Sequence, residues 1–163
     1  MNGQLVCNTG PLIALSLIDR IDLLRSLFEV VIIPEAVHQE ILAGGPMNLG
    51  LLNYQKIKWI KVLSPLLPID PLSKTLLDAG EATVIGLARE LAADFVLIDE
   101  RKARKIARTV YNLKVIGSVR ILIEAKNRGL LDKVGDAIRG MRDGGYWIGD
   151  PIVAAALKRS GEA

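Results

Sequence analysis

The chain has 163 residues, half of them hydrophobic and only 4% aromatic, with 21 Lys and Arg against 18 Asp and Glu for a net charge of +3. A chain of this length fits one domain whose core needs no disulfide or metal staple. One Cys (Cys7) and one His (His38) exclude a disulfide framework and a structural zinc site, and leave a Ser-His-Asp or Cys-His centre nothing but His38 to use.

Gln4 to Cys7 is a short apolar run stopping at Asn8-Thr9-Gly10, the pattern of a strand ending in a turn. A helix is expected from Pro11 to Leu17, with the proline in its first turn, and another from about Asp19 to Phe28, where Ile21, Leu24 and Leu27 recur at helical spacing. Val30 to Ile33 is a continuous β-branched run, expected of a strand buried on both faces. Pro34 opens a helix from Glu35 to Ala43, ended by Gly44-Gly45-Pro46. Residues 46–58 fit a short helix or an excursion. Trp59 to Leu63 reads as a strand, and Ser64 to Ser73, with Pro65, Pro68 and Pro71, as a loop.

The second half predicts a helix from Gly80 to Ala92, a strand from Phe95 to Ile98, a strongly basic helix from Arg101 to Tyr111 and a short strand from Lys114 to Ile116. Helices follow from Ser118 to Arg128, ended by Gly129, and from Leu130 to Met141, ended by Gly144-Gly145. Asp150 is expected to cap a last helix with Pro151 at its first position. Strand–helix alternation makes this an α/β chain with a mostly parallel sheet and helices on both faces. No linker divides it, so residues 1–163 form one expected domain with the helices of 130–163 packed on it. The apolar runs Pro11 to Ile18 and Val30 to Ile33 fall short of the ~18 residues of a membrane span. Met1-Asn2-Gly3-Gln4 has no basic signal region, so the expected location is the cytoplasm.

In open parallel sheets the functional crevice lies beyond the carboxyl ends of the strands. There the sequence places Asn8 and Thr9, then Asp99 and Glu100, then Gly117 and Ser118. Glu81 shares a helix face with Val84, Ile85 and Ala88 and points toward the sheet; it is either a first-turn acid that complements the helix dipole or part of this site. Glu40 is an ordinary helix acid unless its helix tilts over the strand ends, since it sits ~9 Å along that helix. Asn8, Glu40, Glu81 and Asp99 would offer a hard cation three carboxylates and an amide, the equipment of metal-assisted phosphodiester hydrolysis. Arg101, Lys102, Arg104, Lys105 and Arg108 would draw in the phosphates of such a substrate or form a solvated helix face. There is no phosphate-binding glycine loop of either common type. Cys7 is expected to be buried and His38 exposed. Tyr146 and Trp147 are expected to pack the last helix, with stacking on a base as the alternative.

Asn8-Thr9-Gly10-Pro11-Leu12-Ile13-Ala14-Leu15 resembles the opening of PIN-like domains, where an Asp usually follows the first strand. Ile33-Pro34-Glu35-Ala36-Val37-His38-Gln39-Glu40-Ile41, Gly80-Glu81-Ala82-Thr83-Val84-Ile85-Gly86-Leu87-Ala88 and Leu97-Ile98-Asp99-Glu100-Arg101-Lys102-Ala103-Arg104 resemble their later acidic blocks in order. Val115-Ile116-Gly117-Ser118, Ala125-Lys126-Asn127-Arg128-Gly129 and Gly145-Tyr146-Trp147-Ile148 resemble the tail of a prokaryotic, VapC-toxin-related subfamily. The resemblance implies a three-layer αβα sandwich on a parallel five-stranded sheet, Mg²⁺ or Mn²⁺ at an acidic cluster, and ribonuclease activity. It implies Asn8, Glu40, Glu81 and Asp99 as catalytic residues, Asn8, Glu81, Asp99 and Glu100 as metal ligands, and Thr9 and Ser118 as accessories. RNA, an antitoxin protein and a second copy of the chain are the implied partners. Asn8 in place of the usual Asp removes a negative charge and lowers expected metal affinity. That departure leaves a catalytically weakened binding or regulatory module as the alternative.

Overall fold

The computed structural model describes residues 1–44 and 54–163. Its strands are β1 (Gln4–Cys7), β2 (Val30–Pro34), β3 (Ile60–Leu63), β4 (Phe95–Leu97) and β5 (Val115–Ile116). They pair in parallel in the order β3-β2-β1-β4-β5. The helices are α1 (Thr9–Leu17), α2 (Asp22–Leu27), α3 (Glu35–Leu42), α4 (Pro71–Leu76), α5 (Ala79–Glu90), α6 (Arg101–Thr109), α7 (Ser118–Asn127), α8 (Val134–Asp143) and α9 (Asp150–Arg159). They flank the sheet, giving the α/β sandwich that the alternation predicts.

The central strands explain themselves. Leu5, Val6, Ile32, Ile33, Val96 and Leu97 are buried, because a parallel strand covered on both faces has no polar side to present. Each such side chain contributes ~1.5–3 kcal/mol of burial. The edge strand β3 differs: Lys61 and Leu63 are exposed while Ile60 and Val62 are half-buried, an alternation with a lysine that discourages further pairing. The chain runs outward from β1 through β2 to β3 and then returns to β4 on the other side of β1. The switch point, where α/β sheets form their crevice, is therefore the β1–β4 boundary.

Several element boundaries differ from the sequence reading for local reasons. Asn8 takes the N-cap position of α1, so the helix begins at Thr9 and Pro11 still lies in the first turn, where no N–H is needed. The second helix begins at Asp22; Asp19 is in the left-handed region with φ 54°, and Arg20 holds the Asp22 carboxylate at 3.0 Å. The expected loop Ser64 to Ser73 contains the start of α4, because Pro71 occupies a first-turn position rather than breaking the chain. Leu130 belongs to a turn, its N–H on the Ala125 carbonyl at 2.8 Å, so α8 starts at Val134. Gly149, not Asp150, is the N-cap of α9; the Asp150 carboxylate pairs with Arg142 at 2.8 Å. His38 is half-buried rather than exposed, with Nδ1 2.6 Å from the Tyr54 hydroxyl. Of the ambiguous segment 46–58, Tyr54–Lys56 is a single 3-10 turn and residues 46–53 lie outside the described residues. Cys7 is fully buried. Among the described residues no helix is long and apolar enough to cross a membrane.

One carboxylate after α9 links the C-terminus to α7 and α8. Glu162 accepts hydrogen bonds from Lys126 Nζ (2.8 Å) and the Val134 N–H (2.7 Å) on one oxygen, and from the Gly135 N–H (2.9 Å) on the other. It places a negative charge at the N-terminus of α8. Burial pushes its pKa up, but the bonds from Lys126, Gly135 and Val134 outweigh this and hold it at about 2. A depressed carboxyl pKa stabilises the fold above the unfolded value of ~4.3, and that stabilisation is lost as pH falls through the folded value. Urea unfolding of wild type and Glu162→Gln should therefore differ by a constant amount above about pH 5, with wild type the more stable. The gap should close between about pH 4.3 and pH 2.

Candidate functional site

The two central strands end side by side. The Asn8 N–H donates to the Leu97 carbonyl at 3.0 Å, so the residues leaving β1 and β4 enter the same crevice. There, Asn8, Glu40, Asp78, Glu81 and Asp99 line a cleft of about 920 Å³.

The acids fall into two groups. The first surrounds Gly80, in the first turn of α5. A Cβ on Gly80 would lie 3.3 Å from Glu40 Oε2, 3.5 Å from Asp78 Oδ1 and 3.9 Å from Asn8 Oδ1. Oxygens from α3, from the cap of α5 and from the end of β1 thus bound one small space beside Gly80. Glu40 reaches it because α3 packs against both α1 and α5. The hydroxyl of buried Thr9 fixes it there, donating to Glu40 Oε2 at 2.7 Å. Asp78 and Glu81 form a reciprocal capping box. The Glu81 N–H donates to Asp78 Oδ1 at 2.8 Å, and the Asp78 N–H to Glu81 Oε2 at 3.2 Å. Burial, and then the charge of Asp78, raise the Glu81 pKa above the usual carboxylate value.

The second group is built on Asp99. Its Oδ1 accepts the Ser118 N–H at 2.7 Å; its Oδ2 accepts the Ser118 hydroxyl and the Tyr146 hydroxyl, each at 2.5 Å. Arg104 stands beside it. A Cβ on Gly117 would lie 2.7 Å from Arg104 Nη1 and 2.9 Å from Asp99 Oδ1, and the same Nη1 donates to the Ile98 carbonyl at 2.7 Å. Burial lowers the Arg104 pKa against the opposing charge of Asp99. Burial, then the Asp99 charge, push the Tyr146 hydroxyl far above its ordinary value, so it remains a donor.

Asn8, Glu40, Glu81 and Asp99 thus line one cleft, and Glu100 lines it with them. Glu100 caps α6, accepting the Lys102 N–H at 3.0 Å and the Ala103 N–H at 2.7 Å; its oxygens serve the helix end. Both Asp99 oxygens accept hydrogen bonds, as Asp78 Oδ1 and Glu40 Oε2 also do. Arg101, Lys102, Lys105 and Arg108 are exposed on α6, whereas Arg104 turns inward. The sequence reading missed Asp78, although Asp78-Ala79-Gly80-Glu81 carries the spacing of a capping box. It also assigned Tyr146 to packing; no local pattern links that residue to Asp99, 47 positions away.

Among the described residues, no three His, Cys, Asp or Glu side chains stand close enough to grip an ion by themselves. The donors beside Gly80 still fit a hard cation. They are two carboxylates and an amide oxygen, and Mg²⁺ uses one or two carboxylates while keeping several waters.

The fold is thus a parallel αβα sandwich with an acidic cleft at its switch point. A family model described as a PIN domain (DUF3368) matches residues 4–162, and the chain belongs to that family of PIN domains. PIN domains generally use divalent metal ions. No curated protein and no solved structure matches the chain significantly.

The partners of Asp99 yield a stability prediction. Ser118→Ala removes a buried hydroxyl donor and Tyr146→Phe a half-buried one. Each should lower unfolding free energy by about 1–3 kcal/mol, measured by urea denaturation. The double variant should deviate from additivity, because both hydroxyls serve one oxygen.

Proposed function

We propose that this PIN domain is a Mg²⁺- or Mn²⁺-dependent ribonuclease that hydrolyses RNA phosphodiesters. The observation that supports this most is the gathering of Glu40, Asp78 and Asn8 oxygens around Gly80, in the same cleft as Asp99. A divalent cation held there would supply the positive charge that lowers the barrier to attack on a phosphodiester.

Glu40, Asp78 and Asn8 are the residues that would hold it. Thr9 keeps the Glu40 carboxylate aimed at the cleft. Glu81, made more basic by burial and by Asp78, is suited to take a proton from water. Asp99 positions Tyr146 and Ser118 and balances Arg104, whose guanidinium faces the cleft as a donor to phosphate oxygens. The exposed cations of α6 extend the positive surface next to the acids.

A mixed RNA pool incubated with Mn²⁺ should be cleaved, and Glu40→Gln or Glu81→Gln should lower the rate by roughly 10²-fold or more. Cleavage unchanged in both variants would reject this site. Gly80→Ala places a methyl among the three oxygens and should weaken Mn²⁺ uptake in calorimetry while leaving the fold intact by circular dichroism.

Asn8 favours a second reading, a PIN domain whose catalysis is weakened and whose role is binding. Asn8→Asp separates the two. If it creates metal uptake and cleavage that wild type lacks, the weakened module is supported; if it only strengthens an existing activity, the ribonuclease is.

A further inference from the structure

Trp147 occupies the rim of the same cleft and is 72% exposed, an unusual place for so large an apolar ring. It is not loosely held. Its neighbour Tyr146 is fixed by the hydroxyl bond to Asp99 and by a backbone bond from its N–H to the Met141 carbonyl at 2.9 Å. The Arg142 guanidinium lies 4.6 Å from the centre of the Trp147 ring. That arginine is itself locked: its Nε donates to the Ile148 carbonyl at 2.8 Å, and its Nη2 donates to the same carbonyl and pairs with Asp150 at 2.8 Å. The indole therefore has a fixed cation near its ring while most of its surface faces solvent. Arg142 covers one face of the ring, and the exposure of the rest leaves the other face to a ligand.

The surroundings specify what it would receive. Arg120 and Arg159 line the cleft together with Trp147, and α7 and α9, which carry them, pack against each other. Arg120 also pairs with Glu124 at 2.9 Å, which leaves Arg159 as the one of the two with no carboxylate partner among the described residues; a cation and an exposed aromatic ring in one cleft match a chain of phosphates with unstacked bases. In a duplex the bases are already stacked on one another, and their faces are not presented to a side chain.

We infer that Trp147 is a stacking platform for one nucleobase of single-stranded RNA, with Arg159 supplying a cation for the phosphates that pass through the same cleft. This assigns a role to Trp147 and rests on the RNA reading above. Trp147 is a binding residue here, and Arg142 is the positioning residue that holds it.

The test separates binding from cleavage by working in a metal chelator. Fluorescence anisotropy of a short fluorescein-labelled single-stranded RNA is measured with wild type, Trp147→Ala and Trp147→Phe, and again with the same strand in a duplex. Trp147→Ala should weaken single-strand binding by roughly tenfold or more, Trp147→Phe should retain most of it, and duplex binding should be weaker and insensitive to both. Equal single-strand affinity for wild type and Trp147→Ala overturns the platform, as does an equal loss on duplex. So does an unaffected RNA affinity alongside lost binding of a protein partner, which would make this a protein-docking face. Single-strand binding that depends on Trp147 without any Mn²⁺-dependent cleavage would keep the platform and reject the ribonuclease. Cleavage with no dependence of binding on Trp147 would do the reverse.

Discussion

The hydrogen bond from the Asn8 N–H to the Leu97 carbonyl closes β1 against β4 at their carboxyl ends, and the site depends on that closure. It extends the parallel ladder by one residue past β1 and delivers two chain segments, Asn8-Thr9 and Asp99-Glu100, to one crevice. The topology then fills in the rest. The chain leaves β3 through α4 to α5, whose N-terminus comes down on the crevice with Asp78, Gly80 and Glu81. It leaves β5 at Gly117-Ser118, which grips Asp99 from the far side.

Collecting so many acids in one cleft is costly unless each carboxylate has compensation. The structure supplies it locally. Glu40 has the Thr9 hydroxyl, Asp78 and Glu81 have each other's backbone N–H, Glu100 has the first turn of α6, and Asp99 has two hydroxyls, a backbone N–H and a neighbouring arginine. Asn8 fits this pattern: an amide in that place keeps an oxygen donor while removing one repulsive charge. Burial and the charge of Asp78 raise the Glu81 pKa, so at Glu81 the compensation is incomplete. That point adjoins the small space beside Gly80.

Much of the fold was legible because its signals are local. Val30 to Ile33 could be read as a strand buried on both faces because a strand in that position has no polar side. The basic helix after Asp99 could be read from its charge and the periodicity of Ala103, Ile106 and Ala107. The site was legible to the extent that it follows strand ends, which gave Asn8, Asp99 and Ser118. Asp78 could have been recognised from capping-box spacing. Other features have no local trace. Arg104 looks like its neighbours Arg101 and Lys105 on the helix, and only the packing against Gly117 turns it inward. Tyr146 meets Asp99 through the docking of the C-terminal helices, and the exposed ring beside it is a consequence of that docking. Pro71 misled because a proline permits both a loop and the first turn of a helix.

The central claim is that the oxygens around Gly80 hold a hard divalent cation in the chemistry of the cleft. A crystal soaked in Mn²⁺, examined by anomalous scattering, tests this most directly. The account predicts one strong peak between Glu40, Asp78 and Asn8, lost in crystals of Glu40→Gln. A peak elsewhere, or none at a Mn²⁺ concentration that supports RNA cleavage, would contradict it.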